Sequence, residues 1–122
     1  MKKQIKPERI LLRGTPACRG KIQGPVRIVS GDTINDEVLM KNLLEVQKGE
    51  ILVTEMTRPL FVVAMHKIVA IVADRGGILC HAAMVSREFN LPCIVGTKKA
   101  TKILKNGQKI LVDAEKGIVY GL

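Results

Sequence analysis

Short apolar runs separated by glycine, proline or charged residues recur along the whole chain, a rhythm that predicts short strands and short helices packed around one core. Ile10-Leu11-Leu12 and Pro25-Val26-Arg27-Ile28-Val29-Ser30 read as strands, and Gly14, Gly20 and Gly24 punctuate them as tight turns. The first third is therefore expected to be β-rich. From Gly31 to Glu50 the pattern changes: Val38, Leu39, Leu43, Leu44 and Val46 recur at mixed helical spacing among charged residues, which predicts a loop followed by a short surface helix.

The middle of the chain is the most regular. Ile51-Leu52-Val53-Thr54 is a buried strand by its uninterrupted apolar character. Thr57 is placed to cap the helix that follows, Pro59 suits its first turn, and Phe61 to Lys67 continue it. Ile68-Val69-Ala70-Ile71-Val72-Ala73, β-branched and apolar on both faces, is a central strand. Strand, helix and strand in that order form a βαβ unit with parallel strands. A second unit follows. Asp74-Arg75-Gly76-Gly77 breaks the strand, Ala82 to Phe89 forms a helix, Asn90 and Pro92 stop it, and Cys93-Ile94-Val95-Gly96 forms the next strand. Ala82, Val85 and Phe89 give that helix an apolar stripe opposite Ser86, Arg87 and Glu88. Thr97 to Lys105 is a basic stretch of helical character. Asn106-Gly107 is a turn, and Lys109 to Asp113 pairs with Ile118 to Tyr120 as a terminal hairpin around Glu115-Lys116-Gly117. The fold class expected is α/β: one domain over residues 1–122, with a mainly parallel central sheet built from βαβ units and a β-rich N-terminal part.

Composition narrows the class of protein. A chain of 122 residues holds one core. Hydrophobic residues at 47% and charged residues at 25% match an ordinary globular protein. Runs such as Ile68 to Ala73 are too short to span a bilayer. The basic start, Met1 to Arg9, has no apolar stretch of signal-peptide length, so a cytoplasmic location and no membrane partner are expected. Cys18, Cys80 and Cys93 form neither an even disulfide framework nor a C-x-x-C pair and read as reduced thiols, with no metal site. The net charge of +9 favours acidic partners. Aromatic residues are only 2%, which removes the stacking platform of single-strand nucleic-acid binders and makes nucleic acid the least supported partner.

One segment carries chemistry: Gly76-Gly77-Ile78-Leu79-Cys80-His81-Ala82-Ala83. A central strand ends, two glycines let the chain turn, and a histidine arrives at a helix start. Open α/β sheets place ligand sites at the carboxyl ends of their strands. A helix start offers unpaired N–H groups and partial positive charge to a phosphate, and a neutral imidazole is a nucleophile for phosphoryl transfer. His81 is the catalytic candidate, with Gly76, Gly77, Cys80 and Ala82 as phosphate-binding candidates. On pattern alone, a lone histidine beside a glycine turn is more often a satisfied structural residue. Cys80 reads as a buried thiol rather than a partner nucleophile, and Cys80, His81 and Cys93 bind metal only if the fold converges them. His66 reads as a surface or boundary residue. Arg75 and Arg87 either assist the phosphate or are solvated and ion-paired; Lys98, Lys99, Lys102 and Lys105 are a solvated face or a docking patch for an acidic partner.

The segment from Asp74-Arg75-Gly76-Gly77 through Cys80-His81-Ala82-Ala83 and Ser86-Arg87-Glu88-Phe89 to Leu91-Pro92-Cys93-Ile94-Val95-Gly96 resembles the swivelling, or mobile, phosphohistidine domain of phosphoenolpyruvate-utilising enzymes. That family includes phosphoenolpyruvate synthase, pyruvate phosphate dikinase and enzyme I of the sugar phosphotransferase system. The likeness extends upstream through Gly49 to Pro59 and to Gly14 to Val29. Cys80-His81 and Arg87-Glu88 bring it nearest to phosphoenolpyruvate synthase. The resemblance implies a β/β/α swivelling domain in which His81 is phosphorylated and which moves between a nucleotide site and a phosphoenolpyruvate site on neighbouring domains. Two positions depart from the family's pattern: Leu79 stands where a threonine is usual, and Leu60 where an aspartate is frequent. The nucleotide-grasp domain and phosphoenolpyruvate-binding barrel do not fit in this length, and no Gly-x-x-x-x-Gly-Lys-Ser/Thr loop occurs. The expected function is thus a stand-alone phosphotransferase component. It would carry phosphoryl groups between nucleotide-binding and phosphoenolpyruvate- or pyruvate-binding subunits in trans, binding no cofactor itself while ATP and Mg2+ sit on the partners. The alternative is a non-catalytic interaction or regulatory module that keeps the fold.

Overall fold

In the computed structural model, which describes residues 9–33 and 35–122, the apolar runs of the middle third lie side by side as parallel strands. The elements in chain order are β1 (Arg9–Arg13), β2 (Thr15–Cys18), β3 (Lys21–Ile28), α1 (Asp36–Leu44), β4 (Ile51–Thr54), a 3-10 segment (Pro59–Ala64), β5 (Ala70–Ala73), α2 (His81–Phe89), β6 (Cys93–Val95), α3 (Ala100–Ile103), β7 (Lys109–Asp113) and β8 (Ile118–Gly121). The strand order is β1-β8-β7-β3-β4-β5-β6-β2. β3 to β6 are mutually parallel. Outside them every pairing is antiparallel: β3 with β7, β7 with β8, β8 with β1, and β6 with β2. The expected parallel character therefore holds for the middle of the sheet and not for its flanks.

Two-residue alternation in the parallel strands sends side chains to opposite faces, and each face has its own core. Leu52, Ile71, Ala73, Cys93 and Val95 pack with Leu39 and Leu43 of α1, Phe61 and Ala64 of the 3-10 segment, and Ala82, Ala83 and Val85 of α2. Ile51, Val53, Ala70, Val72 and Ile94 pack with Ala100 and Leu104 and with Ile110, Val112 and Val119 of the C-terminal hairpin. The two longer helices, α1 and α2, thus cover one face, and the C-terminal hairpin together with the single turn of α3 covers the other. Among the described residues no helix is long and apolar enough to cross a membrane.

Several local expectations change. β2 was not expected; it carries Pro16 and pairs on one side only, with β6, where the missing N–H of proline does no harm. The segment after Pro59 is 3-10 rather than α-helical, with Met65 N–H donating to the Val62 carbonyl and Lys67 N–H to that of Ala64. Its N-cap is Arg58, which makes no side-chain capping bond, so Thr57 is not a cap. α1 is capped by Asn35, whose Oδ1 accepts from Glu37 N–H at 2.9 Å and Val38 N–H at 3.2 Å. The basic stretch after Gly96 yields one helical turn, α3, because Gly96 and Lys98 take φ of 68° and 75° before it and Leu104 is extended after it. α2 begins at His81 itself and ends, as expected, at Asn90, which adopts φ 56° as a left-handed cap. The basic start, residues 1–8, lies outside the described residues.

Candidate functional site

Parallel pairing brings the carboxyl ends of β4, β5 and β6 to one edge of the sheet, so the loops after Thr54, Ala73 and Val95 emerge together. Two further bonds extend the β4–β5 contact past the strands: Asp74 N–H donates to the Thr54 carbonyl and Arg75 N–H to that of Glu55, both at 3.0 Å. The chain then turns at Gly76, whose φ of +109° favours glycine and where a Cβ would lie 2.6 Å from Cys80 Sγ. Cys80 N–H donates to the Gly77 carbonyl at 3.1 Å, tightening the turn. Cys80 is the N-cap of α2 in extended conformation with no side-chain capping bond, which leaves the first N–H groups of the helix facing the loop.

His81, first residue of α2, is half-buried. Its Nδ1 lies 2.8 Å from Oγ1 of Thr57, a side chain only 2% exposed on the loop after β4. The histidine is therefore anchored through one nitrogen to a neighbouring strand's loop, and Nε2 takes no part in that bond. Met56, Thr57, Arg75, Gly76, Cys80, His81 and Ala82 line a cleft of about 40 Å³.

The structure brings together His81, Gly76, Cys80 and Ala82. Gly77 is exposed and does not line the cleft. Thr57 was read as a helix cap; the signal that could have reassigned it is its position after a parallel strand adjacent to the one that precedes His81.

The two arginines part company. Arg87 donates from Nη1 to the Ala17 carbonyl at 3.0 Å and from Nη2 to the Ile78 carbonyl at 2.8 Å, so its guanidinium ties α2 to β2 and to the loop before His81. Arg75 lines the cleft and pairs with Asp32 at the surface. Leu79, two residues before His81, is 82% exposed and does not line the cleft, and Leu60 packs against the helix-side core. His66 and all of Lys98, Lys99, Lys102 and Lys105 are exposed.

The three cysteines are unbridged. Cys80 is half-buried rather than buried, whereas burial pushes the Cys93 thiol up to about 12 and keeps it protonated. Among the described residues no three His, Cys, Asp or Glu side chains are placed to hold a metal ion.

Known proteins share both the sequence and the fold. The family described as "PEP-utilising enzyme, mobile domain" matches residues 46–117. The chain is 48% identical over 112 residues to a probable phosphoenolpyruvate synthase of Archaeoglobus fulgidus, covering 92% of this chain and 14% of that protein. It is 42% identical over 117 residues to the phosphoenolpyruvate synthase of Pyrococcus furiosus, covering 96% of this chain and 13% of that protein. The chain thus spans about a seventh of the length of the curated relatives it matches. In fold it resembles a solution structure of Enzyme I (TM-score 0.58, 24% identity, 70% of this chain and 37% of that one). It also resembles aconitase X of Thermococcus kodakaraensis (TM-score 0.62, 19% identity, 91% and 97%). With the family match covering more than half of the residues and near-complete alignment to the phosphoenolpyruvate synthases, this chain belongs to the mobile-domain family of PEP-utilising enzymes.

Proposed function

We propose that this chain is a phosphohistidine carrier in which His81 Nε2 accepts a phosphoryl group and passes it on. The observation that carries the reading is the half-buried His81 at the start of α2 with Nδ1 held by Thr57. In the reactive tautomer Nδ1–H donates to Thr57 Oγ1 and the Nε2 lone pair is free. That pair attacks phosphorus; the bond from phosphorus to the donor's leaving group breaks, and its electrons depart with that group. The imidazole is then positively charged at the moment of transfer, and the Thr57 hydroxyl stabilises its Nδ1–H. The free N–H groups at the α2 start suit the arriving phosphate oxygens.

The two-faced arrangement, α1 and α2 on one side and the C-terminal hairpin with α3 on the other, supports the β/β/α swivelling domain expected from the resemblance. Charging and discharging require a nucleotide-binding and a phosphoenolpyruvate- or pyruvate-binding partner, with ATP and Mg2+ on those partners; the similarity to phosphoenolpyruvate synthases supports this pairing. A cytoplasmic setting accords with it.

Incubation with such partners and ATP or phosphoenolpyruvate, followed by mass spectrometry under alkaline conditions, is expected to show one added phosphoryl group that is lost in His81→Ala. A clean absence of label overturns the reading. The second reading, a non-catalytic module, is favoured by Leu79: an exposed apolar side chain two residues before His81 supplies no hydroxyl to a phosphate. Labelling that occurs only after Leu79→Thr would establish it.

A further inference from the structure

We infer that Arg75 changes partners with the state of His81, pairing with Asp32 in the free protein and with the phosphoryl group once His81 carries it. The inference rests on the carrier reading and adds to it the cation that meets the phosphate and a surface that reports the loaded state.

Three observations single out Arg75. It lines the cleft that holds His81, and it also lines the neighbouring groove of about 320 Å³ that contains Asp32, Glu55, Asp74, Lys98, Thr101 and Lys102. The residue therefore borders both. Its backbone is fixed by the bond to the Glu55 carbonyl at 3.0 Å, so a change of partner needs only side-chain rotation. Of the other arginines near the site, Arg87 is held by the carbonyls of Ala17 and Ile78, and Arg58, which pairs with Asp36 at 3.1 Å, lines neither the cleft nor the groove.

The competition favours the phosphate. Arg75 and Asp32 are 53% and 48% exposed, and an ion pair that open to water is weak and screened by salt. A phosphoryl group carries close to two negative charges and three acceptor oxygens, which match the planar guanidinium fork in a bidentate bond. Inside a cleft rather than on open surface, that bond is screened less. Release then takes the guanidinium away from the Asp32 carboxylate in a groove also lined by Lys98 and Lys102. Glu55 and Asp74 do not share this freedom: Glu55 accepts from Gly31 N–H and Ser30 Oγ, and Asp74 from Thr101 N–H. Phosphorylation thus rearranges the charge at one edge of the molecule, which gives a donor and an acceptor different surfaces to recognise.

The test uses the whole chain and phosphoramidate, a small donor whose P–N bond breaks to release ammonia as the phosphoryl group passes to His81 Nε2. Labelling is followed by phosphorus NMR, and the Arg75 Nε–H and Asp32 backbone amide by proton–nitrogen correlation spectra. On phosphorylation both signals are expected to move. Arg75→Gln is expected to lower the labelling rate about tenfold or more, as loss of one charged donor to a transferring group does. Arg75→Lys should restore part of it, since lysine keeps the charge without the fork. Asp32→Asn, which frees the guanidinium beforehand, is expected to raise the rate. Normal labelling with unmoved Arg75 signals, or Arg75→Gln labelled at the unmodified protein's rate, overturns the inference and leaves the carrier reading standing. No phosphoryl group on His81 in the unmodified protein removes both.

Discussion

Replacing Thr57 by valine removes one hydroxyl and little else, because the two side chains have nearly the same shape. The site is 2% exposed, so no water takes the hydroxyl's place beside His81 Nδ1 at 2.8 Å. A hydrogen bond of this kind contributes about 1 kcal/mol net. If that energy holds the proton on Nδ1, its loss lowers the fraction of His81 with a free Nε2 lone pair and removes the group that stabilises the charged ring during transfer. Together these are worth about 1 to 1.4 kcal/mol, or a five- to tenfold fall in rate. The assay is the initial rate of His81 phosphorylation by phosphoramidate, with long-range proton–nitrogen correlation spectra reporting which imidazole nitrogen carries the proton. Thr57→Ser keeps the hydroxyl and should recover most of the rate. Urea unfolding should show Thr57→Val destabilised by no more than about 1.5 kcal/mol, so the slower labelling is not a folding defect. A Thr57→Val protein with unchanged rate and unchanged proton position would refute the role assigned to Thr57.

Other outcomes follow from the packing. Gly76→Ala adds a methyl 2.6 Å from Cys80 Sγ at a φ of +109°, and is expected to lose about 2 kcal/mol by urea unfolding and to slow labelling by moving the turn before His81. Phe61→Ala empties the largest fully buried side chain of the helix-side core; a loss of about 3 to 5 kcal/mol by urea unfolding is expected, with the m-value unchanged. Cys93 gives a pH signature. Its thiol is raised by burial from 9.0 to about 12, so the unfolded chain ionises first. Its contribution to stability is complete below pH 9 and is lost as the pH rises toward 12. In Cys93→Ala the fall in stability over that window should be shallower, and in the unmodified protein Cys93 should alkylate later than Cys18 and Cys80.

Sequence patterns exposed those parts of the fold that are decided locally. The apolar runs at Ile51 to Thr54 and Ile68 to Ala73 locate β4 and β5, because a strand buried on both faces leaves no polar alternation. Asn90 with Pro92 marks the end of α2 for equally local reasons. β2 escaped because Pro16 argues against a strand and only its edge position permits one. The site divides in the same way. His81, Gly76, Cys80 and Ala82 lie within one turn of chain and were legible together. Thr57 lies 24 residues away, and a helix-capping role was the reading its local sequence favoured. Which arginine serves the cleft was likewise invisible, since the carbonyls that occupy Arg87 belong to Ala17, 70 residues upstream, and to Ile78.

The clamp made by Arg87 bears on how the loop before His81 can move. One guanidinium fastens helix, edge strand and the loop before His81 to one another through backbone carbonyls, groups present whatever side chains surround them. The loop that presents His81 is thereby denied the slack to reach out toward a distant donor. On the proposed carrier reading, distance is then covered by displacement of the domain as one body, and not by the loop beside the histidine.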